Sequence, residues 1–596
     1  MKTWTLSLAT LAALAGFVFA LPTPEPVTGE AASLAFTSVR LFDGDAIQEG
    51  MTVLVEGGRI RAAGKGLQVP AGAQVIDGTG RTLLPGLIDS HTHSWGNALE
   101  RAVVFGVTTH LDMFTDWHQA QTWRQEQAEG RSGIRADLFS AGTLVTKAGG
   151  HGTQFGLPIA TLGSAAEADA FVADRLAEGS DWIKLVLEDG HELGFKLPTL
   201  SPQEVTAVVA AAHARKVMAV AHVHTLETAE IALDAGIDGL VHLFFDVPPP
   251  PDFGRQVAEK GTFVVPTLAV IESIAGTPAG KTLRDDPRLA PWLTAGERQG
   301  LGGTFGALVP AEGLDYARQT VAQLRAAGVP ILAGSDAPNP GTTWGASLHR
   351  ELELLVSAGL TPLEALRAAT SVPAAAFHLA DRGRIAPGLK ADLLLVEGDP
   401  SQDITATRAI AGVWKDGREV PRPRAEAPAP TAGKTLSGVL SRFDDGTLSA
   451  TSGAGWSAST DEYMGGASTV ELLTVPAGEG KALEVAGEIR PGFPYPWAGA
   501  MLSPGEGPMA PVDIGPGRTL VFRARGDALR VMIFAESLGM RPSMVQLPAS
   551  EDWQQREVRL EDLGVDGAGV KAFLFSGGLL PGPFRFEIDD VELRAP

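Results

Sequence analysis

The stretch "LLPGLIDSHTHSWG", residues 83–96, puts two histidines, His91 and His93, two residues apart after an apolar run. The run 83–88 reads as a buried strand. In a strand, residues i and i+2 point to one side, so His91 and His93 project together from its end. With Asp89 beside them, the pair points to a metal. A His-x-His pair is common by chance, so the remaining ligands have to come from elsewhere in the chain.

Further along, seven more short strand-like runs recur at 107–113, 136–144, 182–187, 217–222, 239–243, 262–267 and 330–336. Helical patterns such as "SPQEVTAVVAAAHARK" and "TLETAEIALDAGI" separate most of them. Eight strand–helix units in about 300 residues fit a (β/α)8 TIM barrel, whose active site lies at the C-terminal strand ends. Chemistry-bearing residues sit at just those places. His91 and His93 end the first run, Lys184 lies in the fourth, His222 ends the fifth, His242 the sixth and Asp336 the eighth. One rim histidine is usually structural. Four with an aspartate on one rim point to a site.

The ends of the chain have other textures. "MKTWTLSLATLAALAGFVFA" has Lys2, an apolar stretch and small residues at 18 and 20, the pattern of a signal peptide over 1–20. Residues 21–33 read as a linker. β-Rich runs broken by Asp-Gly and Gly-Gly turns fill 34–85 and return at 381–420, which predicts one small β-sandwich built from both flanks of an 86–380 barrel. "PRPRAEAPAPTAGK", 421–434, is a Pro/Ala linker. Residues 435–596 have short strands, many Gly and Pro turns and little helix, and read as an all-β, jelly-roll-like sandwich. The expectation is an exported protein, periplasmic or secreted, without a stable membrane anchor.

Composition narrows the function classes. The 596 residues exceed one core, and 44% apolar with 20% charged residues is ordinary for a globular protein. A net charge of −22 argues against nucleic acid and anionic membrane surfaces. The absence of cysteine excludes disulfides, thiolate metal sites and a cysteine nucleophile.

Taken together, "PGLIDSHTH", "DWIK", "AHVHT…AGIDGLVH", "LAGSDAP" and "TPLEALRAATSVPAAAFHLADRGRIAPGLKADLLLVEGDP" resemble the metal-dependent amidohydrolase superfamily, in its imidazolonepropionase-like and Xaa-Pro dipeptidase-like branch. The resemblance covers roughly 34–420. It implies two divalent ions, usually zinc: His91, His93 and Asp336 on the first, His222 and His242 on the second, and a carbamylated Lys184 bridging them. An ammonium has no lone pair to ligate with, whereas a carbamate is anionic and has two oxygens. The alternative for Lys184 is an ion pair with Asp336 or Asp189. The resemblance further implies that the two ions share and acidify a water, and that Asp336 carries its proton to the leaving group. His151, in "KAGGHGTQFG", and His224 are candidate substrate-binding residues. His224 stands where dipeptidase-like relatives often carry Tyr, a departure from their pattern. His349 resembles a support for the site's edge, while His110, His118, His191, His213 and His378 take structural readings.

"FDDGTLSATSGAGWSASTDEYMGGAST", 443–469, resembles the opening of CIA30-like, galactose-binding-like sandwiches, through Trp456, Asp461, the Met464-Gly465-Gly466 run and Ser468. That resemblance implies a carbohydrate- or surface-binding module; the plainer reading is a domain for packing or self-association. Trp456, Trp497 and Trp553 are either sugar-stacking or core residues.

The leading expectation is an exported binuclear amidohydrolase acting on a small-molecule substrate, a dipeptide or N-acyl amino acid. Lactone or phosphotriester hydrolysis uses the same centre. A mononuclear deaminase would lack the Lys184 bridge, and a non-catalytic surface-binding protein would not need Asp336 and Lys184 together.

Overall fold

The computed structural model describes residues 33–153, 159–191, 197–305, 308–309, 312–424, 438–461, 467–478, 480–490, 496–505, 507, 509–535, 538, 542–565, 567–578 and 580–595. The expected signal peptide, all of the first linker but Ser33, most of the Pro/Ala linker and the Met464–Gly466 run lie outside the described residues.

The polypeptide crosses between two sheets at Gly86. Residues 83–93 were expected as one strand. They form two: Arg81–Pro85 pairs antiparallel with Leu393–Glu397, and Leu87–Thr92 pairs parallel with Val107–Asp112. A Cβ at Gly86 would lie 2.2 Å from Thr108 Oγ1, so only glycine lets the chain pass this close. Leu83 and Leu84 look like part of the first barrel strand because buried apolar runs read alike whichever sheet they enter.

The flanking strands make one eight-stranded sheet that curls back on itself, the Ile60 amide donating to the Leu389 carbonyl and the Ala391 amide to the Gly58 carbonyl. Its order is Arg418–Glu419, Ile410–Lys415, Leu393–Glu397, Arg81–Pro85, Leu34–Phe42, Ile47–Glu56 and Arg59–Gly64, with Gln74–Asp77 joining Leu34–Phe42. Both flanks of the chain therefore contribute. Phe36 and Trp414 meet edge-on at 4.7 Å in its core.

Between the flanks runs a parallel circuit. Leu87–Thr92, Val107–Asp112 and Asp137–Ser140 form one sheet, and Ile183–Leu187, Ala219–Val223, Gly239–Val241 and Phe263–Val265 another. Single parallel bridges Val145–Leu185, Val264–Ile331 and Thr92–Ala337 join them. These strands are buried on both faces, as parallel strands under helices must be.

The run expected as an eighth strand, 330–336, forms no ladder. Its backbone still pairs with both neighbours: the Val264 amide donates to the Pro330 carbonyl and the Leu332 amide to the Val264 carbonyl, while on the other side the Ser90 amide donates to the Ala333 carbonyl, the Asp336 amide to the His91 carbonyl and the His93 amide to the Ala337 carbonyl. The Ser335 amide is diverted to the Asp89 carboxylate, and Asp336 takes a left-handed φ of 52°, which breaks the regular pairing.

The helices carry their own start signals. Ser201 and Glu204 form a capping box at the head of Pro202–Ala214, with Pro202 in its first turn. Thr225 and Thr228 do the same for Leu226–Asp234. Among the described residues, no helix is long and apolar enough to cross a membrane.

The C-terminal region has two antiparallel sheets. Thr469–Ala477, Gly480–Ile489, Gly582–Arg594, Thr519–Gly526 and Ser550–Arg559 form one, with Gly438–Ser441 beside Gly582–Arg594. Gly455–Thr460, Ala498–Ser503, Val570–Gly577, Leu529–Ala535 and Ser543–Leu547 form the other. Their inner residues, including Trp456, Phe522, Phe573, Phe575 and Phe586, share one core. Trp456 is a core residue here, its indole N–H donating to Ser441 Oγ at 2.7 Å. Trp553 lies under the Arg523 and Arg525 guanidinium groups, at 5.0 and 4.9 Å. Asp461 ties the sheet margin: its carboxylate accepts from the Ser468 amide and hydroxyl and from the Trp497 amide.

Candidate metal centre

His91 lies within Leu87–Thr92, and His93 one residue beyond its end. Both turn their Nε2 atoms toward one oxygen, Asp336 Oδ1, at 3.3 and 3.1 Å. His93 Nδ1 is 3.1 Å from the Phe114 carbonyl, which can only accept, so Nδ1 carries the proton and Nε2 keeps its lone pair. Two atoms each about 2.1 Å from one ion at a near-tetrahedral angle lie about 3.3 Å apart, the spacing found here.

A second group gathers from the next strands. His222 lies in Ala219–Val223, His224 follows it, and His242 follows Gly239–Val241. The His222 and His242 rings are 4.4 Å apart, and His222 and His224 4.3 Å. The Thr267 hydroxyl donates to the Pro266 carbonyl, so at 2.6 Å it accepts from His242 Nδ1–H and leaves His242 Nε2 as the free donor atom. His91 and His242 are 4.4 Å apart, so the two groups are contiguous.

The electrostatics favour ligands over ions of the protein. Burial pushes His91, His222 and His242 well below the usual imidazole range, so they stand neutral with lone pairs available. His93 differs: burial lowers it, but the Asp336 contact outweighs that and raises it. His91 Nε2 and Asp336 Oδ1, 3.3 Å apart, are both buried without a hydrogen-bond partner. Buried polar atoms are nearly always satisfied, and two unsatisfied ones facing each other beside His93 Nε2 fit a divalent cation.

Lys184, in Ile183–Leu187, is 2% exposed. Among the described residues it makes no ion pair with Asp336 or Asp189. Burial brings its ammonium down to about 7, against the opposing pull of Asp336 and Asp112. Near pH 7 a substantial share of the side chain is then neutral amine, which can attack CO2 as an ammonium cannot.

His151 and His224 also come to the site, around a residue the sequence reading passed over. Glu188 directly follows Ile183–Leu187, four residues on from Lys184. Its carboxylate is 2.7 Å from His151 Nδ1, 3.0 Å from His222 Nε2 and 3.9 Å from His224 Nδ1. Burial raises it, but the facing histidines outweigh that and hold it well below the usual carboxylate range. The strand period after Lys184 was the available signal. Asp112 was also missed; it accepts from the Ser94 amide and the Ser140 hydroxyl.

Other histidines serve elsewhere. His349 bridges the Phe105 carbonyl and Thr407, His213 meets Asp238, and His110 bonds Ser94. Next to the site, beyond Asn339 and Trp344, lies a cavity of about 670 Å³ bordered by Arg101, Lys281, Arg284 and Arg298. Asn339 bonds the Asp336 carbonyl and Trp344 the His93 carbonyl, so this wall is fastened to two ligand residues.

The sequence profile of the amidohydrolase family matches residues 82–420. An imidazolonepropionase of Cereibacter sphaeroides is 29% identical over 387 residues, 61% of this chain and 93% of its own length. An adenine deaminase of Methylobacterium sp. is 40% identical over 82 residues, 14% of each chain. Among solved structures, a Xaa-Pro dipeptidase with methionine in its active site superposes with a TM-score of 0.54 at 23% identity, covering 65% of this chain and 99% of that one. This last likeness shows a shared fold, of the TIM-barrel type with added β-rich regions.

Proposed function

The chain belongs to the amidohydrolase family, as a hydrolase of carbon–nitrogen bonds, and from that premise we propose that it cleaves an amide or peptide bond of a small substrate, a dipeptide or an N-acyl amino acid, at a centre of two divalent ions. The observation that carries the reading is the contact of two ligand groups, His91/His93/Asp336 and His222/His242, with Lys184 buried beside them.

In this reading His91, His93 and Asp336 hold one ion, His222 and His242 the second, and a carbamylated Lys184 joins them. The donors are nitrogen and oxygen with no thiolate, which suits zinc. When bound, such a pair supplies Lewis acidity, making a water nucleophilic near neutral pH and polarising the scissile carbonyl.

The protein's own groups do the rest. Asp336 Oδ1 accepts the attacking water's proton and returns it to the leaving nitrogen. His151 and His224 orient the substrate from the neighbouring edge. Trp344 and Asn339 hold the backbone of His93 and Asp336 in register with the adjoining cavity. We further read residues 1–20 as a signal peptide delivering the protein to the periplasm or the medium, and the C-terminal sandwiches as a CIA30-like domain.

The adenine deaminase match keeps a mononuclear deaminase as the second reading. Metal content separates them. Protein produced with zinc and bicarbonate should hold two ions per chain by elemental analysis, and Lys184→Ala should lower that number. One ion, indifferent to Lys184→Ala, would favour the deaminase-like site; none would dismiss the metal centre.

A further inference from the structure

Glu188 contacts two residues with different tasks. His222 belongs to the second ion's ligand group, and His151 stands on the substrate side with its side chain 25% exposed. The Glu188 side chain is itself 1% exposed. A buried carboxylate is retained only where its partners repay the loss of water, and its partners here, His151, His222 and at 3.9 Å His224, are all site histidines.

We propose that Glu188 is a positioning residue: its carboxylate fixes the His222 ring so that Nδ1 is presented to the second ion, and the same carboxylate anchors His151 Nδ1. The inference rests on the binuclear reading above.

An imidazole has two nitrogens, and only one can face a given ion. His222 Nε2 lies 3.0 Å from Glu188 Oε2, which leaves Nδ1 for the ion. Histidine ligands commonly turn the other nitrogen to a carboxylate, which fixes the tautomer and raises the basicity of the ligating atom. Two other ligand imidazoles are fixed without Glu188, His93 by the Phe114 carbonyl and His242 by Thr267. Only His222, of the two second-ion histidines, depends on this carboxylate. His151 shares the oxygen Oε2 with His222, so the outer residue is referenced to the same atom as the inner one. Glu188 directly follows the strand that carries Lys184, four residues on, so the proposed bridge and the orienting group come from one segment.

The test is a stepwise zinc titration of the metal-stripped full-length protein against a competing chelator, for the wild type, Glu188→Gln, Glu188→Asp and His151→Ala. Glu188→Gln keeps size and shape. It should weaken the second ion on the order of 10–100-fold and leave the first within about threefold. Glu188→Asp should recover part of that loss. His151→Ala should leave both affinities near wild type, because Glu188 still holds His222.

Unchanged affinity in Glu188→Gln, with two ions in the wild type, overturns the proposal and leaves the binuclear reading standing. A third ion in the wild type that is lost in both Glu188→Gln and His151→Ala also overturns it, making Glu188 a ligand. Fewer than two ions in the wild type brings down the binuclear reading, and this inference with it. If Glu188→Gln does not fold, Glu188→Asp decides: no weakening of the second ion by the shorter side chain rejects the positioning role.

Discussion

The Asp89 carboxylate accepts hydrogen bonds from the Ser335 hydroxyl at 2.6 Å and the Ser335 amide at 2.9 Å, across 246 residues of sequence. It also accepts from the His91 amide at 3.3 Å. The strand carrying His91 and the segment carrying Asp336 are thereby fastened beside their ligand atoms. Burial nevertheless pushes Asp89 up to about 7. Asp89→Ala would leave these donors without an acceptor in a dry site. The expected loss is on the order of 3 kcal/mol in a urea titration, with weaker binding of the first ion. A change below about 0.5 kcal/mol would mean that the clamp contributes little.

In the proposed mechanism Asp336 also carries the proton. Asp336→Asn keeps the shape of the side chain and removes its basicity. Turnover of a dipeptide or N-acyl amino acid should fall by about 10²–10⁴-fold, while the melting temperature of the metal-free protein stays close to wild type. A variant that turns over near the wild-type rate would exclude Asp336 from proton transfer.

Lys184 gives the metal-free protein a distinct pH dependence. Burial lowers its pKa to about 7 from the ordinary 10.5. Between these values the unfolded chain binds a proton that the folded chain does not. Stability therefore rises with pH across that window. Below about 7 the lysine is charged in both states, and its burial penalty is at full size. Chelator-stripped, CO2-free protein should unfold at higher denaturant near pH 10 than near pH 7, and Lys184→Met should flatten the difference. An equal slope in the two proteins would show that Lys184 is not the group responsible.

The candidate ligand residues were legible because their chemistry is written in local spacing: His91 and His93 two apart, and His222, His242 and Asp336 each at the end of an apolar run. Glu188 was not, since a carboxylate after a strand is usually a solvated turn residue. Only the fold turns its side chain inward to His151 and His222. The assignment of 83–85 failed for a related reason, because a run such as Leu83-Leu84-Pro85 is apolar in either sheet and only the Gly86 crossing separates them. The eighth run lacks a ladder because Asp89 captures its Ser335 amide, a long-range contact that periodicity cannot foresee. Trp456 was open between sugar platform and core until its contacts with Phe443 and Phe575 placed it inside.

The last prediction concerns the opposite end of the parallel circuit. Asp137 begins Asp137–Ser140 and is buried against Arg382 at 2.7 Å, Lys390 at 2.7 Å and Lys415 at 3.2 Å. Lys415 also reaches Asp392 and Asp416 from the strand Ile410–Lys415 of the flanking sheet. The cluster thus joins the two sheets through charges out of water. Burial raises the Asp137 carboxyl, but the three cations outweigh it and hold it far below the usual carboxylate range. Its contribution is therefore present above the unfolded value near pH 3.9 and is lost as pH falls below it. Removing one partner of a buried cluster leaves the others uncompensated, so Asp137→Asn should cost about 3–5 kcal/mol in denaturant unfolding near neutral pH. It should also reduce the loss of stability on acidification. The proposed metal ligands lie at the other ends of the strands, so bound zinc per folded chain should match the wild type. A variant that keeps its stability but loses zinc would tie this cluster to the site instead of to the joint between the sheets.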